Sequence, residues 1–160
     1  AQPRQTSILL KIAPDLEQTE MDSIARTVLE SGIDGLIVSN TTISRDSVTG
    51  FQNASEAGGL SGRPLFNLAT QRLAQMRLRL GPAFPIIGVG GIHSAQSAIA
   101  KLEAGANVVQ LYSALVYGGL EMVEEIKSGL AQAVTERRLS NVSGLTGVAV
   151  RDWAEGRIAI

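Results

Sequence analysis

PIIGVGGIHSAQSAIAKLEAGANVVQLYS, residues 85–113, decides the fold. Pro85-Ile86-Ile87-Gly88-Val89 is almost continuously apolar, which suits a parallel strand covered by helices better than an alternating half-exposed one. Ala95, Ala98, Ile99 and Leu102 begin after Ser94 and repeat at helical spacing until Gly105 stops them. Asn107-Val108-Val109-Gln110-Leu111 then repeats the first apolar run. Strand, helix and strand in this order predict a right-handed crossover and a parallel pairing.

The same unit recurs upstream. Ile8-Leu9-Leu10-Lys11-Ile12 precedes a stripe of Met21, Ile24, Ala25 and Val28, with Thr19 as a candidate cap and Gly32 as the stop. Leu36-Ile37-Val38 precedes Leu73, Met76 and Leu80, ending at Gly81-Pro82. A final stripe of Val123, Ile126, Leu130 and Val134 follows the last strand. Between Asn40 and about Asn67 lies a Ser/Thr/Gly/Asn-rich connection, long enough to predict a binding loop. After Arg138 the pattern weakens to a short helix and a loose end.

Four βα units form either a small open sheet or half of a (β/α)8 barrel. All four strands read as interior, whereas an open sheet carries more polar edges, so the half-barrel is the expected architecture. A full barrel needs about 250 residues, against 160 here.

Composition narrows the function. Apolar residues make up 44% and charged residues 18%, which excludes a disordered chain. A net charge of −1 offers no basic field for nucleic acid or anionic lipid. There is no Cys, so disulfides and thiolate metal sites are excluded. No apolar run approaches the ~20 residues of a membrane span. The chain opens at Ala1, and AQPRQTS leads directly into the first strand; no signal-peptide pattern is present.

The chemistry-bearing residues gather at the C-terminal ends of the strands, where parallel α/β proteins place their sites. Lys11 interrupts an apolar strand and reads as a functional cation ahead of a snorkelling one. Ser39, Asn40, Thr41 and Thr42 end the second strand and serve a ligand or a turn equally well. Gly88-Val89-Gly90-Gly91 and Tyr112-Ser113 end the last two strands. Glycine lets backbone N–H groups approach an anion, so a phosphate-bearing ligand is expected there. The Gly cluster is not a dinucleotide fingerprint, because His93 stands where the third Gly would fall, and no Walker motif precedes any Lys. His93 itself, with no acid or second His at ligand spacing, reads as a surface or capping residue. No metal-binding constellation is expected.

Five of these segments together resemble the dihydroorotate dehydrogenases: ILLKIAPDL (8–16), DGLIVSNTT (34–42), GGLSGRPL (58–65), PIIGVGGI (85–92) and VVQLYSAL (108–115). They run in order over about residues 7–135. The likeness is greatest to the class 2, quinone-reducing type, since class 1 relatives usually carry V-G-T-A where this chain has Leu111-Tyr112-Ser113-Ala114.

The resemblance implies an FMN-binding (β/α)8 barrel with these motifs on strands five to eight, so that residues 1–160 form its C-terminal half. It implies that Lys11 lies beside the flavin pyrimidine edge, where a cation favours the reduced anion. It places Ser39, Ser61, Gly62 and Leu111 on the flavin, and Val89, Gly90, Gly91, Tyr112 and Ser113 on its phosphate. Ser39 and Ser113 keep a hydroxyl where relatives often carry Thr. Asn40 and Thr41 match residues that hold dihydroorotate or orotate against the flavin. The serine base and the quinone-tunnel helices of the family belong upstream of residue 1, so no catalytic residue is expected in this chain. Taken alone, it is expected to be soluble, inactive and self-associating, as a dimer through its first and last strands, unless residues 141–160 fold over the open face. The intact enzyme is expected at the surface of a bacterial inner or mitochondrial inner membrane. The alternative is a free-standing, non-catalytic phosphate- or flavin-binding module.

Overall fold

The computed structural model describes residues 6–160, so most of the AQPRQTS lead-in lies outside the described residues. Strands β1 (Leu9–Ile12), β2 (Gly35–Val38), β3 (Ile86–Val89) and β4 (Val108–Gln110) form one parallel sheet in sequence order. Helices α1 (Gln18–Ser31), α2 (Phe66–Leu80) and α3 (Ala95–Glu103) make the crossovers, and α5 (Glu121–Glu136) follows β4 after a short α4 (Ser113–Gly118). A four-stranded parallel sheet with neighbouring strands consecutive in sequence is an arc of the barrel type.

The apolar stripes become the core. Met21, Ala25 and Val28 of α1, Leu73 and Met76 of α2, and Ala98 and Leu102 of α3 are buried, together with Leu36, Val38 and Ile86 of the central strands. Arg77, buried at the end of α2, donates to the carbonyls of Gly81, Phe84 and Gly105 and to Asn107 Oδ1. One guanidinium thus satisfies backbone carbonyls in the turns that lead into β3 and into β4.

Three expectations need correction. Helix α1 starts earlier than a Thr19 cap allows, because Glu17 is the cap residue and its N–H donates to the Glu20 carboxylate at 2.8 Å. The turn after β4 forms the short helix α4, which buries none of its side chains and so left no apolar stripe in the sequence. The C-terminal segment is also not loose. A 3-10 turn (Val142–Leu145) and α6 (Val150–Ala154) bury Leu145 and Trp153. Trp153 meets Phe66 edge to face at 6.0 Å, and the Ala154 carbonyl accepts from Gln75. The segment therefore joins the helical layer at α2 and α3, leaving the strand edges uncovered. Leu10 of β1 is 40% exposed and Val108 of β4 is 56% exposed, whereas Leu36 and Ile86 of the inner strands are fully buried.

Candidate functional site

The tips of the strands converge on one point. Asn40 N donates to Ile12 O at 2.8 Å and Ser39 N to Val89 O at 3.1 Å, so the end of β2 is held between β1 and β3. The Val38–Ser39 peptide is cis. Ser39, buried, donates from Oγ to the Asn40 carbonyl, and Asn40 Oδ1 accepts from Thr41 N at 2.9 Å. These short-range bonds fix the Asn40 side chain before any ligand arrives.

The long connection folds back onto this point. Thr42 and Leu60 exchange backbone hydrogen bonds of 3.1 and 2.8 Å. The Asp15 carboxylate accepts from Thr42 Oγ1 and from Ile43 N, pinning the base of the loop to the end of β1. Arg45 gathers its far side through the carbonyls of Glu56 and Gly58. Gly59 lies flush on Thr41: a Cβ there would stand 2.0 Å from Thr41 Oγ1. Ser61 is thereby delivered to the tip of β4, where Ser113 Oγ meets Ser61 Oγ at 2.9 Å.

Around this point is a cavity of about 540 Å³. The twelve residues that the resemblance assigns to flavin, phosphate or substrate line it: Lys11, Ser39, Asn40 and Thr41 from the first two strand ends, Ser61 and Gly62 from the loop, and Val89, Gly90, Gly91, Leu111, Tyr112 and Ser113 from the last two; Thr42 and Gly88, also at strand ends, do not. Arg63, His93, Tyr117 and Met122 also line it and were not singled out as site residues. Arg63 directly follows Ser61-Gly62, so its place was readable. Tyr117 and Met122 depended on the unforeseen α4. His93 is the correction of most consequence: it is half-buried in the cavity wall, with Nδ1 2.8 Å from the Gly91 carbonyl oxygen.

The wall suits an anion. Lys11, Arg63 and His93 line it, and among the described residues no Asp or Glu does. Helix α4 starts at Ser113 without a side-chain cap; Leu115 N donates to the Tyr112 carbonyl at 3.0 Å, so only the Ser113 and Ala114 N–H groups are left to meet a ligand. Gly91 has φ 75°, and a Cβ there would fall 2.5 Å from Phe66 Cα. Packing against the start of α2 therefore demands glycine at this position, in addition to any ligand approach. Behind Phe66, Lys101 is wholly buried, its Nζ 2.7 Å from Thr70 Oγ1 and 4.8 Å from the Phe66 ring centroid. Desolvation holds its pKa well below the ordinary lysine value.

The profile described as dihydroorotate dehydrogenase matches residues 1–134. The chain belongs to the dihydroorotate dehydrogenase family. Among curated relatives, it is 51% identical over 150 residues to dihydroorotate dehydrogenase (quinone) of Allorhizobium ampelinum, covering 94% of this chain and 41% of that one. It is 50% identical over 151 residues to the protein of the same name from Sinorhizobium fredii, covering 94% and 42%. The crystal structure of a ligand-free dihydroorotate dehydrogenase from Eimeria tenella superposes with a TM-score of 0.85 at 35% identity, over 90% of this chain and 40% of that one. The Eimeria enzyme in complex with ferulenol superposes with a TM-score of 0.86 at 35% identity, over 92% and 39%. The chain thus spans about two fifths of the length of these dihydroorotate dehydrogenases.

Proposed function

We propose that this chain forms strands five to eight of an FMN-binding (β/α)8 barrel, and that the intact polypeptide oxidises dihydroorotate to orotate and passes the electrons to a quinone. This is a step of pyrimidine biosynthesis. The supporting observation is the convergence of Lys11, Asn40, Ser61, Gly91 and Ser113, from five separate segments, on one cavity whose charged lining is cationic.

The residues present fit FMN. Gly90, Gly91 and the uncapped start of α4 offer N–H groups to its phosphate, and the Ser61–Ser113 hydroxyl pair stands beside them. When bound, FMN supplies the hydride acceptor. Lys11 then places a positive charge at the end of β1, where negative charge would grow on reduction. Asn40, already oriented by Thr41 N, and Thr41 hold the planar substrate in register. Tyr112, Val89 and Leu111 give the cavity its apolar contact area. No residue of this chain takes the role of general base; that group comes from the three fifths of the relatives' length that lies outside the match.

We also infer that the chain produced alone self-associates through β1 and β4, since unpaired edges bearing Leu10 and Val108 invite pairing. A clean monomer of about 17 kDa, one chain's mass, in sedimentation at micromolar concentration would contradict this. Among the described residues no helix is long and apolar enough to cross a membrane. Peripheral placement of the intact enzyme at a membrane surface is part of the same proposal and follows from its quinone acceptor.

The experiment for the main reading compares turnover. The intact polypeptide should oxidise dihydroorotate with a quinone acceptor, whereas the 160-residue chain alone should show none, because losing an acid–base group costs about 10²–10⁴-fold before lost orientation is counted. Turnover by the chain alone near the intact rate would refute the division of roles.

A further inference from the structure

Gly59 stands outside the cavity wall, yet Thr41, which lines the cavity, rests directly on it. A Cβ at position 59 would stand 2.0 Å from Thr41 Oγ1, 2.6 Å from Thr41 Cβ and 3.4 Å from Thr41 Cγ2, so its three nearest neighbours all belong to one side chain. Gly59 does not adopt a positive φ. Space, and not backbone conformation, therefore asks for glycine here. Gly58 is the reverse case: its φ is 120°, and a Cβ there would meet nothing within 4 Å.

The loop has little room to back away from this contact. Thr42 and Leu60, the next residues along each strand of the contact, exchange backbone hydrogen bonds of 3.1 and 2.8 Å. Arg45 Nη1 reaches the carbonyls of Thr42, Ile43 and Ser44, and its Nη2 those of Glu56 and Gly58. One guanidinium thus ties the two stems of the loop together, with Gly59 next to the second stem. On the other side of the contact, Thr41 N donates to Asn40 Oδ1 at 2.9 Å. Thr41 Oγ1 has no hydrogen-bond partner among the described residues, so packing on Gly59 and the few staggered positions open to a β-branched side chain set its direction.

We propose that Gly59 is a positioning residue for the substrate: having no side chain, it lets the loop press on Thr41 and fixes the hydroxyl in the direction that dihydroorotate meets. The inference rests on the assignment of Asn40 and Thr41 to the substrate above. A methyl group at position 59 forces the Thr41 side chain to turn and its backbone to draw back. The N–H that orients Asn40 moves with it. Ser61 and Gly62 lie beyond the Thr42–Leu60 pair, and Ser61 keeps its bond to Ser113, so the disturbance falls on substrate and not on flavin.

The test follows dihydroorotate oxidation by the intact polypeptide carrying this chain, as wild type, Gly59→Ala, Thr41→Ala and the double variant, with flavin content read from visible absorbance. Gly59→Ala should lower kcat/KM for dihydroorotate about tenfold, roughly the worth of one hydrogen bond, and mostly through KM. Flavin content and KM for the quinone should not change. Thr41→Ala should act alike, and the double variant should be little worse than Thr41→Ala, since the hydroxyl that Gly59 positions is already gone. Gly58→Ala strains the same loop through its backbone without meeting Thr41, and should leave KM for dihydroorotate near the wild-type value. Should Gly59→Ala fold poorly, Arg45→Met releases the stems of the loop and should give the same loss in KM, again blunted when Thr41 is Ala. Additive losses with Thr41→Ala, or an equal rise in KM from Gly58→Ala, would overturn the role of Gly59. A wild-type KM in Thr41→Ala would instead overturn the assignment of Thr41 to the substrate, and the inference with it.

Discussion

Ser113 Oγ stands 2.9 Å from Ser61 Oγ, joining the start of α4 to the long loop that leaves β2. The two residues are 52 apart in sequence, and no other side-chain hydrogen bond among the described residues links that loop to the tip of β4. Ser61→Ala and Ser113→Ala should each weaken FMN binding about three- to tenfold, the net worth of one hydrogen bond. A double-mutant cycle, read by quenching of flavin fluorescence, should show the two effects to be coupled. Strict additivity would mean that the hydroxyls act separately.

Asn40 should matter to substrate and little to cofactor. Its amide is preset by Thr41 N and its backbone by Ile12 O. In the intact enzyme Asn40→Ala should raise KM for dihydroorotate and lower kcat, together by roughly tenfold or more for the bonds lost, with flavin content unchanged. Loss of flavin with KM preserved would move Asn40 from the substrate to the cofactor.

Lys101 gives the fold a pH dependence of definite sign. Its pKa is lowered in the folded state by desolvation, so between that lowered value and the ordinary 10.5 the unfolded chain binds the extra proton. Stability should therefore rise with pH across that window, as the buried charge is relieved. Lys101→Met should flatten the slope and be neutral or stabilising near neutrality, because an apolar chain of similar length removes the desolvation cost. Urea midpoints measured from neutral to alkaline pH decide; an unchanged slope in the variant would show that another group carries it.

Trp153 is the anchor of the C-terminal segment. Trp153→Ala should cost about 3–5 kcal/mol, the usual loss for a large buried aromatic side chain. Trp153→Phe should cost far less, since the indole Nε1 has no hydrogen-bond partner among the described residues while the contact with Phe66 is apolar. Equal losses in the two variants would show that the indole's polar edge, and not its apolar contact with Phe66, carries the stability.

Strands β1 to β4 were legible because parallel strands of this type are short apolar runs, and Ile86-Ile87 or Val108-Val109 can be little else between turn residues, even though the edge strands β1 and β4 are partly exposed. The cavity was legible for the same reason: once the strands were placed, Lys11, Asn40, Gly91 and Ser113 fell at their ends. Helix α4 was not, because a helix that buries nothing leaves no stripe. A short helix after Arg138 was expected and α6 is there, but its docking was not foreseen, because a single buried turn around Trp153 is too short to show a period. His93 escaped because its partner is a backbone carbonyl two residues away and its place in the cavity wall depends on the packing of Gly91 on Phe66. Such a contact has no signature in residue type.

The central claim is that this cavity is the flavin side of a dihydroorotate dehydrogenase site, and one anaerobic measurement addresses it. Dihydroorotate is added to the purified intact polypeptide, and the visible absorbance of its flavin is followed. Bleaching by dihydroorotate, reversed by a quinone and not by NAD or fumarate, is the expected result. A colourless protein, or a bound flavin that dihydroorotate leaves unbleached, would contradict it.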